Sequence, residues 1–229
     1  MKTVGILGGM GPQATILLMQ KVLDATPASD DADHIPLIVH QNPRVPSRIA
    51  ALIDGSGPSP LPVLQNMATD LAAAGAQALA MPCNTAHHYI PGLRAITDLP
   101  VLDMLAATNE ALQDKGRIGI LASPATRLTG VFHDYFDVPH LFPVDDAPVL
   151  QIIRAIKAGA APASQTPALT EQALRLRDRA DHVLIACTEL SLVAPLLPPG
   201  IAWTDSLDCL VAQVIAFARG ATPGAEGES

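Results

Sequence analysis

Two cysteines stand at the ends of separate apolar runs, each followed at once by polar residues that commonly start helices: Met81-Pro82-Cys83-Asn84-Thr85-Ala86-His87 and Ala186-Cys187-Thr188-Glu189-Leu190. In open α/β sheets ligands bind beyond the carboxyl ends of the strands, so a cysteine at a strand end is aimed at a cleft. A helix N-terminus there lowers a thiol's pKa and favours thiolate. Two such thiols, one in each half of the chain, can take a proton from one face of a carbon and deliver one to the other. This chemistry needs no metal and no cofactor.

The elements that must position these thiols repeat. Lys2-Thr3-Val4-Gly5-Ile6-Leu7-Gly8 returns as Gly116-Arg117-Ile118-Gly119-Ile120-Leu121-Ala122, and Val101-Leu102-Asp103 has a counterpart in Trp203-Thr204-Asp205. Together with the two cysteine segments these are matched landmarks in the same order, the signature of a duplicated α/β unit. Apolar β-branched runs alternate with helical patterns, as in parallel sheet with crossover helices. The first half reads strand 3–7, helix 12–25, strand 35–40, helix 60–74, strand 77–81, helix 84–96 and strand 100–102. The second reads helix 104–114, strand 117–121, helix 124–136, strand 139–142, helices 146–158 and 166–179, strand 182–186 and helix 189–197. A strand near 201–203 and a helix to about 219 close the pattern. Pro and Gly cluster at 55–62, read as a surface loop, and at 159–167, read as a helix connection near the cleft. The stretch 220–229 has too few large apolar residues to dock and reads as a disordered tail.

At 229 residues and 49% hydrophobic content the chain can bury a sizeable core. A formal net charge of −8 argues against nucleic acid or an anionic membrane surface as partner. Neither a leader pattern nor an apolar run long enough to span a bilayer is visible, so a soluble cytoplasmic protein is the expectation. The three cysteines do not form a disulfide framework, and thiols used in chemistry need a reducing compartment. Cys209, within a helical apolar pattern, reads as a buried structural thiol.

Three other readings have to be weighed. Gly8-Gly9-Met10-Gly11-Pro12-Gln13-Ala14-Thr15 follows the first strand and opens a helix, with the spacing of a dinucleotide fingerprint. That motif wants an acidic residue at the end of the next strand, where this chain has His40-Gln41-Asn42. Cys83 with His87 and His88 has a spacing that can serve a metal, without a second cluster nearby in sequence; structural placement is favoured, and no metal site is assigned. His182 reads as a half-buried strand histidine, and Asp103 and Asp205, at matching strand ends, read as helix caps or as groups behind the cysteines.

The Gly-Gly-Met-Gly-Pro-Gln-Ala-Thr opening, the Pro-Cys-Asn-Thr-Ala-His around Cys83 and the Cys-Thr-Glu around Cys187 together resemble the aspartate racemases of the Asp/Glu (aspartate/glutamate/hydantoin) racemase superfamily. The resemblance implies two pseudo-symmetric three-layer α/β/α domains, each with a mainly parallel sheet, and an active site in the cleft between them. One domain is then 1–103 plus 205–219 and the other 104–204. It also implies a homodimer and cofactor-independent racemisation of an acidic amino acid, most simply L-/D-aspartate, with Cys83 and Cys187 as the catalytic pair. Glutamate or another amino acid as substrate remains open, as does a two-lobed module that binds an acidic amino acid without turning it over. Ala186 stands where the family commonly has Gly before its second cysteine.

By the same resemblance, the Asn42-Pro43-Arg44-Val45-Pro46-Ser47-Arg48 loop places the family's substrate arginine at Arg48, where a guanidinium fork can hold a carboxylate. Arg44 is an unassigned extra charge. Lys157, in Lys-Ala-Gly, is placed as the substrate lysine. Ser47 replaces the usual Asp and Ile49 the usual Thr. The implied substrate-binding set also includes Met10, Pro46, Ala86 and Thr126. Asn84, Thr85 and Thr188 are placed to bond the α-carboxylate and ammonium, and Glu189 to orient or receive the ammonium. For these four an ordinary capping role stays open.

Overall fold

The computed structural model describes residues 1–52 and 54–220. Apart from Gly220, the expected disordered tail lies outside the described residues. The chain forms two compact units, one of Met1–Pro82, Ala86–Met104 and the segment from Asp208, the other of Cys83–Thr85 and Leu105–Leu207.

The first unit holds β1 (Val4–Gly8), α1 (Pro12–Asp24), β2 (Leu37–Gln41), α2 (Arg48–Leu52), α3 (Leu61–Ala73), β3 (Ala78–Ala80), α4 (Ile90–Arg94) and β4 (Val101–Leu102). Its four strands are parallel in the order β2-β1-β3-β4, with Val4 opposite both Leu37 and Ala78. β1 is buried throughout, as a central parallel strand covered on both faces must be.

The second unit contains α5 (Met104–Leu112) beyond its first residue, β5 (Ile118–Ala122), α6 (Pro124–Leu128), α7 (Val131–Tyr135), β6 (His140–Leu141), α8 (Ala147–Lys157), α9 (Pro162–Arg177), β7 (His182–Ala186), α10 (Thr188–Ser191) and β8 (Trp203–Asp205). The parallel order β6-β5-β7-β8 repeats the first sheet, so each pair of repeated landmarks falls on equivalent strands. Side chains alternate across this sheet. Ile118, Ile120, Leu184 and Ala186 pack with Leu105, Leu112 and Phe132, while Leu121, Val183 and Ile185 pack with Ile152, Ile156, Leu169 and Leu176. That period of two gives the unit its three layers. α11 (Ser206–Arg219) closes the chain, and its end returns to the first unit, where Lys2 N donates to Ala218 O.

Gly5 and Gly119, equivalent in the repeat, explain how closely the crossover helices approach. A Cβ on Gly5 would lie 2.8 Å from Ala76 Cβ and 3.2 Å from Leu71 Cβ, and one on Gly119 would lie 3.0 Å from Leu176 Cβ. In both units the helix end before the third strand rests on bare backbone.

Several expected boundaries need correction. The helix 84–96 is a 3₁₀ segment, Thr85–Tyr89, followed by α4, and Pro91 sits in the first turn of α4, where its missing N–H costs nothing. The helix 124–136 divides because Gly130 adopts φ +74°, a left-handed conformation that cannot continue a helix. The connection at 159–167 is shorter than expected, since α9 starts at Pro162 and tolerates Pro167 in its second turn. The helix 189–197 is only the short α10 and a 3₁₀ turn, Ala194–Leu196, and the last strand lies at 203–205. α2 and a 3₁₀ turn at Asp31–Asp33 were not anticipated. Cys209 is half-buried rather than buried. Among the described residues no helix is long and apolar enough to cross a membrane.

Candidate active site

Cys187 directly follows β7 with extended backbone (φ −148°, ψ 124°) and starts α10. Its carbonyl accepts from Leu190 N at 2.8 Å, so the turn is closed by the backbone. The thiol is buried and donates to Glu189 Oε2 at 3.0 Å. The other carboxylate oxygen, Oε1, faces Lys157 Nζ at 3.4 Å across from α8. Burial, followed by the Glu189 charge and its hydrogen bond, pushes the Cys187 thiol well above its ordinary range, while Lys157 and the Glu189 backbone pull the other way. The Lys157 side chain is half exposed. As a stabilising ion pair it contributes only about 0–1 kcal/mol, so its consequence is electrostatic.

The Cys83 turn belongs to the same compact unit. Cys83, three residues beyond β3, is buried, as are Asn84 and Thr85. Asn84 Nδ2 donates to Ser206 Oγ at 3.1 Å, and its Oδ1 is buried with no hydrogen-bond partner among the described residues. A buried acceptor left unmatched costs about 1–3 kcal/mol, a cost that a ligand N–H recovers. Thr85 Oγ1 and Thr126 Oγ1 share a hydrogen bond of 2.6 Å. Thr188 is buried at the start of α10. Ser191 Oγ donates to Asp205 Oδ1 at 2.8 Å, and the same oxygen accepts from Leu207 N at 2.9 Å. Asp205 therefore caps α11 and braces the Cys187 turn at once.

The remaining candidates lie in the first unit. Arg48 Nη1 donates to Pro46 O at 3.0 Å and Val45 O at 3.5 Å, and Nη2 donates to Met10 O at 3.3 Å. The guanidinium thereby ties the glycine turn to the Pro46 loop through backbone carbonyls. Ser47 is exposed, and its Oγ accepts from Ala50 N at 3.3 Å, which makes it the cap of α2. Ala86 is buried and Arg44 exposed. The nearby Tyr89 hydroxyl is held above its ordinary pKa by burial, against the pull of Arg48. Sequence reading missed Tyr89, Ser191 and Ser206, none of which carries a motif; only Asp205 was signalled, by its place in the repeat.

Two of the weighed alternatives lose support. The glycine turn is filled from within: Gly9 N donates to Thr15 Oγ1 at 2.9 Å, and a Cβ on Gly9 (φ +95°) would lie 2.4 Å from the Asn42 carbonyl carbon. Asn42 backbone takes up the space beside Gly9, so the protein itself requires a glycine there and no nucleotide is needed to explain it. His87 is buried and its Nε2 accepts from Met104 N at 3.1 Å, at the start of α5, which commits that nitrogen to a structural bond. Asp103 meets Arg94 at 3.0 Å, and His182 Nε2 meets Thr204 Oγ1 at 2.9 Å.

Residues 7–214 match the family described as Asp/Glu/Hydantoin racemase. The chain is similar to the broad specificity amino-acid racemase RacX of Bacillus subtilis, 26% identical over 232 residues, covering 93% of this chain and 96% of the relative. Among solved structures, an aspartate racemase from Picrophilus torridus superimposes with a TM-score of 0.85 at 27% identity, covering 96% of this chain and 95% of that one. A glutamate racemase from Thermus thermophilus shares the fold, with a TM-score of 0.63 at 17% identity over 99% of this chain and 85% of that one.

Proposed function

Since the chain belongs to the Asp/Glu/hydantoin racemase family, we propose that it racemises an acidic amino acid, aspartate foremost, with Cys83 and Cys187 as the two acid/base groups and no cofactor. The observation that carries this reading is the pair of buried thiols just beyond the carboxyl ends of β3 and β7, equivalent strands of the two sheets. Inversion at a carbon needs a proton acceptor on one face and a donor on the other, and one thiolate with one thiol supplies both. The carbanion between them is stabilised by a dry, polar surround rather than by a strong base. Asn84 Oδ1 is suited to accept from the substrate ammonium, and Thr85 and Thr188 are further polar groups proposed for the substrate. In this reading Arg48 and Lys157 supply the cations for the carboxylates, and Met10, Pro46, Ser47, Ala86, Thr126 and Glu189 are the further residues proposed to contact substrate. Arg48 has donors beyond those given to backbone carbonyls.

The preference for aspartate is supported by the similarity to the Picrophilus enzyme. The Bacillus relative's description favours a second reading, a racemase of broader range. The reading extends to a homodimer working in a reducing compartment, the cytoplasm, where both thiols stay free. Incubation in D₂O with aspartate, glutamate and alanine, followed by chiral separation, tests it. Deuterium at the α-carbon together with the mirror-image product is expected for aspartate. Ligand-induced thermal stabilisation with no deuterium incorporated would show a binding module instead.

A further inference from the structure

Gln172 stands on the buried face of α9, where packing gives its amide nothing to do. Leu169, Ala173 and Leu176 share that face at helical spacing and join the core with Val149, Ile152 and Ile156 of α8. Gln172 is only 6% exposed, and its side-chain amide has no hydrogen-bond partner among the described residues. A buried amide in that state has lost its hydration without compensation, so an apolar side chain would serve the core better. Gln172 instead lines a cavity of about 320 Å³ between the loop that leads into α8 and the end of α9, a size suited to a small molecule.

The cavity wall carries both signs of charge. Arg175 and Arg179 line it. Arg175 Nη2 donates to Glu171 Oε1 at 2.6 Å, whereas the exposed Arg179 guanidinium has no partner among the described residues. Cations at a helix C-terminus are ordinary, but a buried amide beside them is not. Asp145 also lines the cavity; its Oδ1 accepts from Ala147 N at 2.9 Å, which leaves acceptor capacity on the carboxylate. A simple anion would suit Arg179 and be repelled by Asp145, and a simple cation would meet the reverse. A zwitterion satisfies both, and the Gln172 amide, which donates and accepts, can serve either end. Val144, Pro148 and Leu176 supply apolar wall. We propose that this cavity binds a free α-amino acid with an apolar side chain. Its carboxylate lies on Arg179 and the Gln172 amide, its ammonium on Asp145, and its side chain against the apolar wall.

The site is separate from the cysteine turn of the same unit. Leu176 rests on Gly119 near the start of β5, while Cys187 follows the far end of β7, the parallel neighbour of β5. Pro148 lies in the first turn of α8 and Lys157, which faces Glu189, in its last. The inference therefore does not depend on the racemase reading.

Calorimetric titration with L-leucine, run on the unaltered full chain and on Cys187→Ser, tests it. Saturable binding of equal strength to both is expected. 4-Methylpentanoate, which lacks the ammonium, and isopentylamine, which lacks the carboxylate, should each bind at least about tenfold more weakly. Arg179→Met should weaken leucine binding at least about tenfold. Gln172→Leu should do the same while raising the melting temperature of the free protein, because an apolar side chain replaces a desolvated amide; a glutamine kept for structure would lower it. If the Gln172 variant fails to fold, Arg179→Met decides the matter alone. No saturable heat at millimolar leucine, undiminished binding in Arg179→Met, or loss of binding in Cys187→Ser overturns the proposal. Binding of 4-methylpentanoate as tight as that of leucine overturns the amino-acid assignment.

Discussion

At the residue scale the two cysteines make separable predictions. Cys83→Ser and Cys187→Ser should each lower racemisation by more than roughly 10²-fold, because a serine hydroxyl is far too weak an acid for either role. Each variant keeps one thiol, which can still remove an α-hydrogen from a substrate carrying a good β-leaving group. The two variants should therefore eliminate from opposite enantiomers; elimination from the same enantiomer in both would refute the two-face arrangement. Activity should survive dialysis against a chelator and need no added pyridoxal phosphate, and loss restored by zinc would point back to Cys83 and His87 as ligands. Arg48 has two tasks to separate, since it already bridges Met10, Val45 and Pro46. Arg48→Met should raise the aspartate KM far more than that of alanine, as loss of one partner of a charge-assisted contact kept from water by bound substrate costs about 2–5 kcal/mol. A lower melting temperature with unchanged KM would assign Arg48 to loop bracing alone.

At the scale of elements, the glycine turn between β1 and α1 is fixed by packing as well as by backbone angle. Gly9→Ala meets Asn42 backbone at 2.4 Å in addition to the cost of φ +95°. Gly75, after α3, has φ +97° with nothing within 4 Å of an added Cβ, so Gly75→Ala carries only the conformational cost, about 1–2 kcal/mol. Denaturant unfolding of both variants should show the larger loss at Gly9, and equal losses would mean that the Asn42 contact is dispensable. On β7, burial and then the Lys115 charge lower the pKa of His182. The unfolded imidazole takes its proton at about pH 6.5 and the folded one only below that, so stability falls as pH drops through this window. His182→Gln should flatten that part of the decline, measured as the denaturation midpoint from about pH 7.5 to 5. An unaltered pH dependence would show that His182 does not contribute.

For the whole molecule, light scattering in reducing buffer should return twice the chain mass if the proposed homodimer forms, and a monomer at working concentration would remove it. The α/β class, the repeat and both cysteine turns were legible in the sequence because each depends on local pattern: apolar runs for parallel strands, small polar residues for helix starts, and the same landmarks twice. Breaks in the helices were not, because Gly130 and Pro91 interrupt patterns whose apolar spacing continues across them. Arg48 was legible as a cation, but its three carbonyl partners come from Val45, Pro46 and the distant Met10. Tertiary structure alone brought Glu189 and Lys157 together, and it alone buried the Cys187 thiol against that carboxylate. The sequence by itself determined which groups can carry protons. Their protonation depends on burial and on neighbours from other elements, Lys157 of α8 for Cys187, and those are set only when the layers pack.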